Sequence, residues 1–334
     1  MQFQATSRRQ AISRRTVLAA TAAAAVSPAA AQECRLGPPP HHQGPPVFLS
    51  YDQIELDAAY DQTYYEPLLG QIVRRLASNS EAARARIGVP QRAAYGPTAI
   101  EKLDLYRTER RSAPIFVFIH GGNWRAGAAK DYAFPAEMFV KAGAHYVVLD
   151  FAAVQDAGGD LAAMAAQVRR GIAWVYHNAA AFGGDPEQIF VGGHSSGGHL
   201  CGMALVTDWK KEFSLPSTLI KGGLCMSGMY ELAPVRLSWR RSYVNFTDAM
   251  VEAMSAQRHV DQLAAPIVVT YGTFETPEFQ RQSRDFAAAV MAAGKQVRLV
   301  EAPNYAHLEM VETLASPYGV NGRAALAMMG LAPV

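Results

Sequence analysis

The six residues Gly193-His194-Ser195-Ser196-Gly197-Gly198 constrain this chain more than any other feature of it. They follow a β-rich apolar run, Ile189-Phe190-Val191, and lead into a segment of helical character, Gly198–Thr207. A G-x-S-x-G tract between a strand and a helix forces the backbone through a sharp turn. The serine then takes a strained conformation, so the residues two positions to either side must be small, and Gly193 and Gly197 are. The turn puts the Ser195 hydroxyl at the C-terminal edge of a sheet and the N-terminus of a helix, the posture of a nucleophile. A glycine-rich structural turn is the plain alternative. It loses ground only as matching chemistry accumulates elsewhere in the chain.

The surrounding pattern is alternation. Leu103–Tyr106, Ile115–Ile119, Tyr146–Phe151, Ile189–Gly192, Gly222–Met226, Ile267–Tyr271 and Val297–Val300 read as strands. Between and after them, Asp131–Ala142, 160–181, Gly198–Thr207, Gln280–Ala293 and Leu308–Ala315 read as helices. In the longest, Leu161, Met164, Val168, Ile172 and Val175 keep the helical period and define one buried stripe. Strands alternating with long helices imply an α/β fold, a mainly parallel sheet covered on both faces. Asp52–Arg86 reads as an amphipathic helical cap or layer. Neither a repeat nor a composition shift marks a second domain, so residues 50–334 are expected to form one. At 334 residues, 50% hydrophobic and 18% charged, the chain is long enough for a single large core.

An acyl-transfer nucleophile needs donors for the developing oxyanion. His120-Gly121-Gly122-Asn123-Trp124 follows the strand Ile115–Ile119, and its glycines leave backbone N–H groups unobstructed. Gly121, Gly122 or Asn123, with Ser196, are the expected oxyanion hole. For a G-x-S-x-G elbow the chain order is serine, acid, histidine. Two histidines follow Ser195, and His259 precedes the strand after which the acid should come. His307, past the last strand, is therefore the expected base. His194 and His199 flank the serine but should point away from its hydroxyl, in structural roles. The acid should follow Ile267–Tyr271, where Glu275 and Glu278 both stand. Pro277 suggests that a helix begins between them. Glu278 would then sit in the first turn and complement the helix dipole, worth about 0.3–1 kcal/mol.

Together, HGGNW, GHSSGGH, TPEFQRQS and NYAH resemble the α/β-hydrolase superfamily, and within it the kynurenine formamidase (arylformamidase)-like and small esterase branch. Leu56-Asp57-Ala58-Ala59-Tyr60 is also typical of that branch, so the resemblance spans roughly residues 50–315. It implies an α/β-hydrolase fold and an Asp where Glu275 stands, which favours Glu275 over Glu278 as the acid. It also implies that Trp124 lines the acyl or leaving-group pocket. Insertions placed like 233–262 often cover the site in such hydrolases. The aromatic residues of this one, Trp239 and Tyr243 among them, would suit an aromatic or bulky apolar substrate.

Residues 1–31 look like an export signal rather than part of the fold. Arg8-Arg9 and Arg14-Arg15 precede the uncharged run Val17–Val26, and Ala29-Ala30-Ala31 offers a signal peptidase site. Ten apolar residues are too short to span a ~30 Å hydrocarbon core. Ser13–Leu18 resembles a twin-arginine (Tat) signal, so the expected location is periplasmic or secreted, in a bacterium. Residues 32–49 read as a Pro-rich linker, and His41-His42 within it as solvated loop rather than metal ligands. The net charge is +2, and falls to −2 once the four arginines of residues 1–31 are set aside. That excludes a basic nucleic-acid binder. Cys34, Cys201 and Cys225 lack metal-ligand spacing and are too few for a disulfide framework. No metal or organic cofactor is called for, and neither a nucleic acid nor a stable membrane anchor is expected.

These observations point to an exported serine hydrolase with the triad Ser195, His307 and Glu275, cleaving small-molecule carboxylic esters through an acyl-enzyme. An arylformamidase would use the same residues. Export argues against that alternative, because N-formylkynurenine arises in the cytosol. A non-catalytic binding protein on the same fold would usually lack the nucleophile or the base, and both are present.

Overall fold

In the computed structural model, residues 39–40 and 44–333 are described. The expected signal segment, Cys34 and His41-His42 lie outside them. The segment read as an amphipathic helical cap or layer holds two helices, α1 (Gln53–Ala59) and α2 (Leu69–Ile87), separated by a 3₁₀ turn and by Pro67. Asp52 caps α1 through a reciprocal pair with Glu55. Next come β1 (Gln91–Ala94), β2 (Lys102–Tyr106) and β3 (Ala113–Ile119). The single helix expected over 131–142 is a 3₁₀ turn, Ala129–Tyr132, and then α3 (Ala136–Lys141). Pro135 stands between them and cannot donate to a continuous helical ladder.

The chain continues through β4 (His145–Leu149), α4 (Leu161–Asn178), β5 (Gly184–His194), α5 (Ser196–Leu205), α6 (Trp209–Phe213) and β6 (Ile220–Met226). Two short helices, α7 (Leu232–Val235) and α8 (Asp248–Met254), then precede β7 (Ile267–Gly272). The last elements are α9 (Pro277–Ala292), β8 (Val297–Ala302), α10 (His307–Glu312) and α11 (Val320–Met328). The eight strands form one sheet in the order β1-β2-β4-β3-β5-β6-β7-β8. β1 and β2 run antiparallel, and every pairing from β4 to β8 is parallel. The sequence pattern missed β1 because Gln91-Arg92-Ala93-Ala94 has no apolar alternation and lies at an exposed edge.

Strand periodicity builds two cores. Ile115, Val117 and Ile119 of β3 enter one apolar cluster while Phe116 and Phe118 enter the other. β4, β5 and β7 divide the same way: Val147 against Val148, Val191 against Phe190, Val269 against Val268. Both faces are therefore covered, as near-continuous apolar runs in a parallel sheet require. α4, α5 and α9 cover the first face, with Val168, Leu200 and Phe286 in its core. α2, α3 and α11 cover the second, with Leu76, Phe139 and Leu326. α4 begins on the Asp160 side chain, which accepts from the Ala162 N–H, and buries the stripe read from the sequence. Cys201 and Cys225 are buried free thiols.

Candidate active site

Ser195 sits between β5 and α5 with φ 59° and ψ −124°. A non-glycine residue there costs on the order of 1–3 kcal/mol and persists only where its surroundings dictate it. They do so here through close backbone contact. A Cβ on Gly193 would lie 2.1 Å from the Gly197 carbonyl oxygen, and one on Gly197 would lie 2.1 Å from that of Ile119. Both obstacles are main chain, so neither glycine can be replaced without moving α5 off the end of β3. The Ser195 N–H donates to the Met226 carbonyl at 3.0 Å, tying the turn to β6.

The loop after β3 runs beside this turn. A Cβ on Gly121 would come within 3.0 Å of the Ser195 Cβ and 2.9 Å of the His194 carbonyl oxygen. Gly122, Asn123 and Trp124 all have positive φ, at 122°, 57° and 61°. Three such residues in a row reverse the chain tightly, with the Arg125 and Ala126 N–H groups returning to the Gly122 carbonyl. Ser196 opens α5, where the first N–H groups have no carbonyl partner within the helix. A cavity of about 380 Å³ is lined by Gly121, Trp124, Ser196, Phe151 and Met164 among others.

Trp124 is buried, and its indole N–H donates to His199 Nδ1 at 3.2 Å. His199 Nε2 in turn donates to the Met254 carbonyl. Both ring nitrogens are thus committed, and burial lowers the imidazole to about 4. His199 is a neutral strut between the Gly121–Trp124 loop and α8, in keeping with its expected structural role. His194 is neutral as well, held well below the usual range by burial and by the neighbouring His307. Its Nε2 donates to the His307 carbonyl at 2.9 Å, and the two rings lie 4.6 Å apart. His194 therefore fixes the His307 backbone to the strand that carries Ser195.

His307 is the first residue of α10 and is buried. Its Nδ1 lies 2.7 Å from Glu275 Oε2, a contact in which the imidazole N–H donates. The other carboxylate oxygen, Oε1, accepts from the Ser227 hydroxyl at 2.6 Å and the Gly272 N–H at 2.7 Å. Glu275 is therefore fully engaged, and its orientation is fixed by the ends of β6 and β7. His259 is elsewhere at the surface, with Nε2 donating to the Glu252 carbonyl.

Glu278 does open α9 as expected: Pro277 is at the first helical position and Thr276 caps from outside. Its surroundings give it more than the expected part in complementing the helix dipole. It is completely buried, makes two hydrogen bonds to Arg281 at 2.8 and 2.7 Å, and accepts from the Tyr60 hydroxyl at 2.9 Å. The helix dipole is a minor part of its role. Glu278 joins α9 to the end of α1.

Glu66 was not evident in the sequence. Both its carboxyl oxygens accept from the Leu308 N–H, at 2.9 and 3.1 Å, one peptide beyond His307. Burial pushes its pKa up to about 8, with smaller contributions from the negative charges of Glu275 and Glu309 and an opposing one from the Leu308 N–H.

The segment 233–262 holds α7, α8 and two 3₁₀ turns. Trp239 and Tyr243 are half-buried, with ring centroids 5.4 Å apart. They reach Trp124 through Arg240, whose guanidinium lies over both tryptophan rings, at 5.3 Å from Trp239 and 5.4 Å from Trp124. The aromatic residues of this segment thus stand beside the Gly121–Trp124 loop, with a buried cation between them.

The BD-FAE family model matches residues 103–221, from β2 to β6. A kynurenine formamidase of Danio rerio is 28% identical over 84% of this chain and 97% of its own length. Esterase LipQ of Mycobacterium tuberculosis is 28% identical over 64% of this chain and 55% of its own. A candidate thioesterase from Silicibacter sp. TM1040 superposes with a TM-score of 0.71 at 22% identity, covering 83% of this chain and 99% of that one. The chain has the α/β-hydrolase fold, and within that superfamily it is similar to formamidases and esterases. Seen as a hydrolase, it places Ser195, the Gly121–Trp124 loop and the Glu275–His307 pair at the C-terminal ends of adjacent strands, where open α/β sheets hold their ligands. Among the described residues no group of three or more His, Cys, Asp or Glu side chains could hold a metal ion, and no helix is long and apolar enough to cross a membrane.

Proposed function

We propose that this hydrolase is exported and cleaves carboxylic esters of small or aromatic acids and alcohols with the triad Ser195, His307 and Glu275. The observation that carries this reading is the buried Glu275–His307 contact of 2.7 Å, on a loop tied by His194 to the strained Ser195 turn. Glu275 holds the proton on Nδ1 and leaves Nε2 as the base. That nitrogen takes the Ser195 proton as Oγ attacks the carbonyl, and returns it to the leaving group. N–H groups of Gly121, Gly122 or Asn123, with that of Ser196, would receive the oxyanion. Water then hydrolyses the acyl-enzyme. Trp124, Trp239 and Tyr243 would line the substrate side. The Tat-like segment at residues 1–31 supports export to the periplasm or beyond.

One observation favours a second reading, hydrolysis of an aryl-formamide by the same residues: the kynurenine formamidase match extends over 97% of that protein. A panel of p-nitrophenyl esters of increasing acyl length, aromatic esters and N-formylkynurenine separates the two. Ester hydrolysis that falls about 10³-fold or more in Ser195→Ala, with the fold intact, is the expected result. Substantial esterase activity in that variant would move the nucleophile elsewhere.

A further inference from the structure

Arg240 is the only arginine or lysine among the buried described residues, at 1% exposure. Several partly buried arginines of this hydrolase find carboxylates: Arg281 pairs with Glu278, Arg170 with Glu101, Arg258 with Glu231. Arg240 has no ion-pair partner among the described residues. It donates to the Tyr60 carbonyl and the Tyr243 hydroxyl, each at 3.0 Å. Its Nε is buried with no acceptor, and so is the indole nitrogen of Trp239. Two adjacent residues of one turn thus carry buried donors with nothing to donate to. Buried donors left in that state are destabilising, and a buried charge without a counter-ion more so.

The rings around Arg240 offset part of this. Trp124 and Trp239 lie 5.4 and 5.3 Å from the guanidinium carbon, and Phe279 lies 6.0 Å away. Ring faces attract the charge, but they offer no acceptor to N–H groups in the guanidinium plane. The enclosure also adjoins the chemistry. Phe279 meets the His307 ring edge-on at 4.8 Å, and Trp124 ends the loop beside Ser195. Trp239 and Tyr243 are the partly exposed members of the enclosure, so they are the ones that must swing to admit a ligand.

We propose that Arg240 selects substrates carrying a carboxylate next to the acyl or leaving group, which would receive the guanidinium and the Trp239 N–H while the aromatic rings hold an apolar or aryl body. A carboxylate has the two acceptor oxygens this pair of donors lacks, and the planar fork of arginine suits it better than a lysine would. The inference rests on Ser195 being the nucleophile, and it narrows the substrate class of that site.

The test compares mono-p-nitrophenyl succinate with its methyl ester on wild type, Arg240→Gln and Arg240→Lys. Wild type is expected to prefer the anionic ester. Arg240→Gln should collapse the ratio of the two kcat/KM values by about 10²-fold, mostly through KM of the anionic ester, and Arg240→Lys should restore part of it. An unchanged ratio in Arg240→Gln, or no anionic preference in wild type, overturns the inference while leaving the hydrolase reading intact. Calorimetric titration of wild type with benzoate and with benzamide decides the matter without turnover or a folded variant. Benzoate should bind at least tenfold tighter, and equal affinity overturns the proposal. Hydrolysis of neither ester, with benzoate still preferred, would instead remove the esterase reading and keep the anion site.

Discussion

Replacing Glu275 and Glu278 separately by glutamine tests the proposal that Glu275 is the acid that orients His307 while Glu278 holds α1 against α9. In Glu275→Gln the amide oxygen keeps the acceptor position toward Ser227 and Gly272, which lie 2.6 and 2.7 Å from Oε1. The amide NH₂ then faces His307 Nδ1. Two donors cannot face each other, so Nδ1 must give up its proton and Nε2 must carry one, leaving no base for Ser195. A wrong tautomer of this kind costs about 10⁴-fold in kcat, roughly 5 kcal/mol of transition-state stabilisation. The Ser227 and Gly272 contacts survive, so stability should fall by no more than about 1 kcal/mol. In Glu278→Gln the loss falls on the fold. The charge-assisted bond from Arg281 Nε to Oε1 goes, because an NH₂ there faces a donor, while an amide oxygen at the Oε2 position can still accept from Arg281 and from Tyr60, as a neutral and weaker acceptor. Arg281 keeps Asp285 at 2.6 Å and is partly solvated, which limits the damage to about 2–3 kcal/mol. For a domain of this size that is a melting temperature lower by roughly 4–12 °C, with kcat within about threefold of wild type. An ester assay and a thermal melt on the two variants suffice. Activity above about one part in a hundred in Glu275→Gln, or an activity loss concentrated in Glu278→Gln, would refute the assignment.

Two further outcomes follow from Glu66 and from the proposed export signal. Burial raises the Glu66 pKa from 4.5 to about 8 in the folded chain, so between these values the native state holds a proton that the unfolded state releases. Its contribution is complete below about pH 4.5 and is lost as pH rises to about 8, a span worth roughly 5 kcal/mol; urea midpoints at pH 5 and 9 should therefore converge in Glu66→Gln, and an unchanged difference refutes the effect. Protein isolated from its native host should begin near Gln32 and lie outside the cytoplasm, and N-terminal sequencing that still finds Met1 rules out cleavage.

What could be read from the sequence was what local sterics dictate. Gly193 and Gly197 were legible because a strained serine tolerates no Cβ two residues away, and the main-chain oxygens at 2.1 Å are that rule made concrete. Pro277 marked the start of α9 and so separated Glu275 from Glu278 correctly. Pro135 gave the same kind of signal between the 3₁₀ turn and α3, yet the helical period around it masked the break. The illegible features are long-range. Glu66 caps a peptide 242 residues away, and no local pattern announces that. Ser227 differs from any strand-end serine only through the Glu275 carboxylate it meets. Arg240 stood in view among the aromatics of 233–262, but a cation without an acid becomes visible only when every neighbour is known.

The strained residues explain why these parts must be assembled at one sheet edge. Eight non-glycine residues among those described have positive φ, and Asn123, Trp124, Ser195, Ser227 and Asn304 are five of them. Each follows a strand of the parallel sheet, where the chain must leave the ladder abruptly to present a side chain or an N–H group. Such conformations persist when neighbours over-determine them, and here each strand end is held by the next. The Ser195 N–H donates to Met226 at the end of β6, the Ser227 N–H donates to Thr270 in β7, and the Gly272 N–H at the end of β7 donates to Glu275. The Ser227 side chain closes the series by donating to the same carboxylate. The Ser195 turn and the Glu275 carboxylate are thereby set in one hydrogen-bonded register across three adjacent strands. Loss of the Ser227 hydroxyl would leave Oε1 of Glu275 held by the Gly272 N–H alone, without touching His307. The position of the Glu275 carboxylate is thus a property of the sheet, and this is how a side chain with three rotatable bonds can be held with its Oε2 2.7 Å from the imidazole.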